Sequence, residues 1–341
     1  MHIRWELALP ISDPTAANDA TPELSIVIPV YNEEETVGEL HQRLSTVLRS
    51  LGDSYEILFV NDGSTDATSR LIDEFAEQDP RVVAIHLSRN FGHQPAVTAG
   101  IDHAAGQAVF VMDGDLQDPP EVIPQFIQLW RMGNDVVYAI RQKRKEHLVK
   151  RAGYFLFYRL LRAISDIDIP LDSGDFCLMD RHVVDALKAL PERGRFIRGL
   201  RTFVGFRQVG LAYERAARPR GKPKYTLSTL IRLAVDGLVN FSGYPLRLVT
   251  RLGLITLCAT AILSVWVVVD ALINHTGPRG WASLSLVMLF LGAVQLISLG
   301  IIGEYVRLIF LETKGRPSYI IDERRSRGRE TSAVIGKETR P

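Results

Sequence analysis

The sequence predicts an α/β fold: a mostly parallel central sheet covered by helices, followed by amphipathic helices at a membrane surface and a two-helix transmembrane hairpin. Three observations predict it. Short Val- and Ile-rich runs alternate with amphipathic stretches over residues 24–140, the pattern of strands joined by covering helices. Those runs are almost continuously apolar, as strands buried on both faces must be. The last third of the chain holds two long stretches without a charged residue, Leu252–Val269 and Trp281–Gly303.

Strands are expected at Leu24–Val30, Glu56–Val60, Val82–Leu87, Ala108–Met112 and Asp135–Ala139. Helices are expected between them at Glu34–Leu51, Asp66–Gln78, Gln94–Ala105 and Glu121–Met132. Such alternation gives parallel strands with helical crossovers. Ligands of these sheets sit outside the carboxyl ends of the strands. The ends are polar and acidic here: Tyr31-Asn32-Glu33, Asn61-Asp62-Gly63-Ser64-Thr65-Asp66, Ser88-Arg89-Asn90-Phe91-Gly92-His93 and Asp113-Gly114-Asp115-Leu116-Gln117-Asp118. No G-x-G-x-x-G follows the first strand and no G-x-x-x-x-G-K-[ST] occurs, which disfavours a dinucleotide site and a P-loop.

Each charge-free stretch is near the ~20 residues that a helix needs to cross a bilayer. Arg247 and Arg251 precede the first, Arg307, Lys314 and Arg316 follow the second, and the turn between carries only Arg279. The positive-inside rule then places both flanks and the N-terminal region in the cytoplasm, as expected of a multi-pass membrane protein. Two further stretches, His147–Ile164 and Leu227–Tyr244, mix basic and aromatic residues as interfacial helices do. Glu304 and Arg307 are spaced to pair on one helix face. The organisation expected is a mobile leader over 1–22, a cytoplasmic domain over 23–226, a juxtamembrane helix over 227–247, two spans over 248–311 and a cytoplasmic tail over 312–341, solvated from Asp322. The leader lacks the apolar core of a signal peptide.

Composition narrows the function. Forty Lys and Arg against 39 Asp and Glu leave a net charge of +1, so nothing points to nucleic acid. Cys177 and Cys258 are too few for a disulfide framework or a Cys-based zinc site. Asp113 and Asp115, two apart at a strand end, can bring both carboxylates to one point. Like charges held that close call for a cation, and oxygen ligands suit Mg²⁺ or Mn²⁺. Asp62, at the tip of the second strand, faces the same cleft and can accept a hydrogen bond from a base or ribose. Either Ser64 or Thr65 is expected to cap the next helix. Tyr31 is placed either to stack on a base or to sit as a half-buried aromatic at the strand end.

LSIVIPVYNEEETV, EILFVNDGSTDAT, LSRNFGHQPAVTAGIDHA and VFVMDGDLQDPPE, in that order, resemble the family 2 glycosyltransferases of the GT-A fold. The paired C-terminal spans and LDSGDFCLMDRHVVDAL narrow the likeness to the polyprenyl-phosphate branch, the bactoprenol glucosyltransferases and dolichol-phosphate mannose synthases. It covers about residues 24–315. The resemblance implies that Pro29, Tyr31, Glu33 and Asp62 bind the nucleotide. It implies that Asp113 and Asp115 hold the metal on the diphosphate, with Gln117 nearby. Asp175 matches the position of the catalytic base. Arg198, Arg201, Arg218, Lys222, Lys224 and Tyr225 form a basic stretch for phosphates. His93 stands where a Lys or Arg is expected and, if neutral at pH 7, supplies no fixed charge.

The reaction implied is inverting transfer of one sugar, UDP-glucose being the first expectation for the donor, to polyprenyl (undecaprenyl) phosphate by a homo-oligomer, with a tetramer among the possibilities. A lipid phosphate is already largely ionised at neutral pH, so Asp175 is expected to position the acceptor more than to remove a proton. The alternatives are a processive polysaccharide synthase, disfavoured by the lack of a downstream Q-x-x-R-W, and a non-catalytic, membrane-tethered nucleotide-sugar-binding subunit.

Overall fold

A computed structural model describes residues 21–142, 173–192, 194–214, 244–274 and 280–326. Its sheet has seven strands in the order β3-β2-β1-β4-β6-β5-β7. They are β1 (Leu24–Val30), β2 (Tyr55–Asn61), β3 (Val82–His86), β4 (Ala108–Val111), β5 (Val136–Gln142), β6 (Ser173–Asp180) and β7 (Gln208–Glu214). The helices are α1 (Val37–Leu51), α2 (Thr68–Gln78), α3 (His93–His103), α4 (Ile123–Arg131), α5 (Arg181–Ala189), α6 (Ile197–Phe203), α7 (Tyr244–Asn274) and α8 (Trp281–Thr313). The five expected strands and four expected helices of residues 24–140 are all present, with ends shifted by a few residues.

The sheet is mixed. β1 pairs in parallel with β2 and β4, β2 with β3, and β5 with β7. β6 is antiparallel to both β4 and β5. It therefore runs against all the others and separates β4 from β5. Its reversal has one local consequence. The first residues of β6 lie at the rim where the other strands end, so Asp175 is presented at their carboxyl ends by the start of a strand.

Strand alternation divides the core between two faces. Ile26, Ile28 and Val30 pack with Leu40, Leu44 and Leu48 of α1 and Ile123, Phe126 and Ile127 of α4. Val27, Val60 and Val109 pack on the other side with Ala96, Val97 and Ile101 of α3 and Val183, Val184 and Leu187 of α5. Phe110, Phe126 and Phe176 meet edge to face at 5.0–5.3 Å, and Tyr213 adds a fourth ring at 5.5 Å from Phe176. This aromatic cluster locks β6 and β7 onto the parallel half.

α7 and α8 lie against one another and leave Ile255, Ile262, Trp266, Leu284, Leu296, Ile302 and Ile309 exposed. An apolar surface of that extent needs a partner other than water. Phe290–Thr313 is long and apolar enough to cross a membrane, whereas the apolar stretch Arg251–Leu263 of α7 is shorter. Arg307 pairs with Glu304 at 2.6 Å, as their spacing predicts.

After α8 the chain returns to the sheet. Ile321 bridges Leu87 beside β3 in antiparallel fashion. The Ser88 N–H donates to the Ile320 carbonyl and the Asp322 N–H to the His86 carbonyl, at 2.9 and 2.8 Å. Ser326 Oγ accepts from the His86 N–H, Arg325 donates to Ser69 Oγ and Tyr319 Oη donates to Asp102. The expected solvated tail from Asp322 is thus docked as far as Ser326, with Glu323, Arg324 and Arg325 exposed as expected. β3 is an edge strand, and its open hydrogen-bonding groups recruit the passing backbone. The leader to residue 20, both basic amphipathic stretches except Tyr244, and the tail beyond Ser326 lie outside the described residues.

Candidate active site

Four loops and the start of β6 converge at the carboxyl rim. The loops after β1 and β2 are laced together: Ser64 Oγ accepts from the Asn32 N–H, Asn32 Oδ1 from the Thr65 N–H and Thr68 Oγ1 from the Glu33 N–H, at 2.9–3.0 Å. Neither Ser64 nor Thr65 caps α2. The cap position is Ala67 without a side-chain bond, and Asp66 Oδ1 accepts from the Thr68 N–H instead. Both hydroxyl residues are already engaged by Asn32, whose φ of 53° turns its backbone toward the second loop. Thr36 Oγ1 links Glu33 Oε2 and the Gly114 carbonyl, and so ties the first loop to the acidic one.

Asp62 is buried, and its two oxygens accept the N–H groups of Phe91 and Gly92 at 2.7 and 2.9 Å. Burial raises its pKa against the lowering effect of those bonds. The structure therefore gives it a task that the sequence did not reveal, bracing the loop that carries His93. Asp62→Ala is expected to cost about 1–3 kcal/mol, since two donors lose their acceptor. Faster amide exchange at Phe91 and Gly92 would register the loosened loop. Tyr31 is exposed at the rim, Glu33 is half-buried beside it, and Pro29 is buried within β1, beneath the cleft rather than in it.

Asp113 and Asp115 follow β4 in a turn. The Gln117 N–H donates to Asp115 Oδ1 at 3.1 Å, and Leu116 holds φ 58° with its side chain buried. A bulky residue in this left-handed region is strained, and its burial in the core holds it there. The β4–β6 register pairs Val111 with Cys177. Carried two residues further, it sets Asp113 opposite Asp175. Asp113 is pushed up to about 6 by burial, which Asp175, Asp118 and Asp115 reinforce and His93 opposes. That shortage of positive charge fits a cation. Among the described residues no cage of three or more acidic, His or Cys side chains forms, so a cation on this pair would draw its other ligands from substrate and water.

Asp175 is the hub of the far wall, its side chain 11% exposed. His93 Nε2 lies 3.3 Å from it, Gln94 Nε2 donates at 3.0 Å and Arg198 at 3.4 Å. Burial alone would raise its pKa. The His93 hydrogen bond and the charges of Arg198, His93 and Arg201 overcome this and hold it well below the usual carboxylate range. His93 also lies 3.7 Å from Asp113. Desolvation lowers its pKa, but Asp175 and Asp113 outweigh that and make it more basic than a free histidine. The expectation of a neutral His93 thus meets a shift toward the charged form: two carboxylates, Asp113 after β4 and Asp175 on β6, favour it, a proximity that linear spacing does not reveal.

Gln94, not singled out in the sequence, also accepts the Ile197 N–H at 3.0 Å and so joins α3 to α6; its place in FGHQ was the available signal. Arg198 reaches the site. Arg201 does not: it is fully buried, one helical turn deeper, and cannot touch a phosphate in the cleft. Arg218, Lys222, Lys224 and Tyr225 lie outside the described residues.

Comparison with known proteins gives the family. The model of the family described as "Glycosyl transferase family 2" matches residues 25–188. The chain is 46% identical over 303 residues to the "Uncharacterized glycosyltransferase YkcC" of Bacillus subtilis (strain 168), covering 88% of this chain and 94% of that protein. It is 42% identical over 300 residues to the "Bactoprenol glucosyl transferase" of Shigella phage SfII, covering 88% and 97%. Among solved structures, glucosyl-3-phosphoglycerate synthase from Mycobacterium tuberculosis aligns with a TM-score of 0.47 at 19% identity, over 65% of this chain and 80% of that one. With relatives 46% and 42% identical over 88% of its length and the family model matching residues 25–188, this chain belongs to glycosyl transferase family 2, with the GT-A fold.

Proposed function

We propose that this protein transfers a single sugar, glucose from UDP-glucose in the first instance, to a polyprenyl phosphate such as undecaprenyl phosphate at the cytoplasmic face of the membrane. One observation carries the reading: an acidic cleft and a lipid-compatible helix occur in one chain, 42% identical over 300 residues to a protein named Bactoprenol glucosyl transferase. In this reading both α7 and α8 cross the bilayer and hold the cleft at the level of lipid head groups.

Tyr31 stacks on the base, and Glu33 and Asp62 border the nucleoside. Asp113 and Asp115 hold a divalent cation, Mg²⁺ or Mn²⁺, which when bound neutralises charge on the departing diphosphate. His93 adds a positive charge beside the same carboxylates, and Arg198 faces the acceptor phosphate across Asp175. That phosphate attacks the anomeric carbon, the bond to the nucleoside diphosphate breaks, and one displacement inverts the centre. The nucleophile is already an anion near pH 7, and a carboxylate as acidic as Asp175 is a poor proton acceptor. Asp175 accordingly orients Arg198, His93 and Gln94.

The test is transfer of labelled sugar from UDP-glucose, UDP-N-acetylglucosamine or GDP-mannose to undecaprenyl phosphate, with Mg²⁺ or Mn²⁺. Organic-soluble label from UDP-glucose, lost with chelator, is the expected result. Metal-dependent nucleotide binding without lipid product from any donor would overturn it in favour of a binding subunit.

A further inference from the structure

Arg201 is fully buried. Its Nε, Nη1 and Nη2 have no hydrogen-bond partner among the described residues by strict geometry. What surrounds it is soft: the Tyr138 ring, 5.1 Å from the guanidinium, and the Cys177 thiol, a weak acceptor. A guanidinium cannot shed its proton in a protein, so Arg201 is a permanent buried charge without an ion-pair partner among the described residues. Replacing such a group by an apolar side chain of similar volume is often neutral or stabilising. Stability gives no reason for an arginine at this position.

Its placement suggests another reason. Arg198 and Arg201 are three residues apart on α6 and therefore share a face. Arg198 meets Asp175 at 3.4 Å. Asp175 and Cys177 alternate on β6 and point to the same side of the sheet. The two arginines thus stand in register with the two β6 residues, Arg198 at the mouth and Arg201 one step inside. In a water-free interior its field is little screened, and it acts on the carboxylate of Asp175, which lies two residues from Cys177 on the same face of β6 and binds His93 and Gln94.

We propose that Arg201 is a positioning residue, whose charge fixes the Asp175 carboxylate from within the core and, through it, the orientation of His93, Gln94 and Arg198. It touches neither donor nor acceptor. The cost of burying it is offset by an electrostatic arrangement that needs no reorganisation during the reaction. The inference rests on the glycosyl transfer proposed above.

The experiment compares Arg201→Met, Arg201→Lys, Asp175→Asn and the double variant Arg201→Met/Asp175→Asn with the unmodified full-length protein, reading Tm, kcat and donor KM. Arg201→Met is expected to keep or raise Tm while kcat falls about tenfold and donor KM moves less than about threefold. Arg201→Lys should recover most of that kcat. The double variant should be no slower than Asp175→Asn alone, because both act on one element. Retention of kcat in Arg201→Met would overturn the proposal. So would a fall in Tm that parallels the loss of kcat and is not relieved by lysine, which would assign Arg201 to packing. Multiplicative losses in the double variant would show that it does not act through Asp175. Absence of transfer by the unmodified protein is a distinct result, which removes the proposed function and this inference with it.

Discussion

Asp115→Asn abolishes sugar transfer, with an expected loss of about 10³-fold in kcat, the scale of removing a principal electrostatic group from a transition state. Asp115 and Asp113 are the two carboxylates that the turn after β4 offers to a cation, and an amide lacks the charge that a cation requires. Asp175→Asn is expected to lose only about 10- to 100-fold. It removes the negative charge and one of the two acceptor oxygens that order His93, Gln94 and Arg198, but leaves those groups in place around an ionised nucleophile. A Mn²⁺ titration separates the two: the Asp115 variant should require far more metal, while the Asp175 variant should keep the normal midpoint at a reduced plateau. Equal and complete loss in both would contradict the assignment of Asp175 as an orienting group.

The largest structural effect is expected at Gly63. Its φ is +66°, and a Cβ there would lie 2.5 Å from the Arg89 carbonyl carbon and the Asn90 nitrogen. An L-residue in the left-handed region costs about 1–2 kcal/mol, and the neighbour it meets is backbone, which cannot rotate away. Gly63→Ala should therefore lose about 3–4 kcal/mol and weaken nucleotide binding, because the segment it displaces leads to Phe91, Gly92 and His93. Gly133 is the control. It holds φ +85° with nothing within 4 Å, so Gly133→Ala should show the conformational cost alone, about 1–2 kcal/mol, with nucleotide binding unchanged. Comparable Tm losses in the two variants would mean that the loop after β3 moves aside freely.

The parallel half of the fold was legible because β1 and β2 are buried along their whole length. Burial on both faces leaves continuous apolar runs, and these stand out between amphipathic stretches. β6 was harder. Its sequence SGDFCLMD carries no mark of direction, and its position between β4 and β5 is set by pairing across residues distant in sequence. Asp113 and Asp115 could be found from spacing at a strand end. The partners of Asp175 could not, since His93 and Gln94 at the start of α3 and Arg198 on α6 lie far from it and from one another along the chain. Arg201 was misread for a related reason. Two arginines one turn apart look like a solvated or phosphate-facing stripe, and only the packing of α6 on β6 separates the half-buried Arg198 from the fully buried Arg201. The docked segment after α8 had a signal, the apolar run Tyr319-Ile320-Ile321 ahead of a basic tail.

That segment also bears on how the protein can be dissected. Its route is a closed circuit: out of the sheet, through the two long helices and back onto β3. A soluble fragment ending before α7 would therefore be more than an enzyme without its anchor. It would expose the edge of β3 as a template for self-association, and would strip His86 of its contacts with Asp322 and Ser326. His86 is the ring against which Asn61 rests, next to Asp62. A faithful water-soluble version would splice residues 315–326 back by a flexible linker in place of the helices, or supply them as a separate peptide.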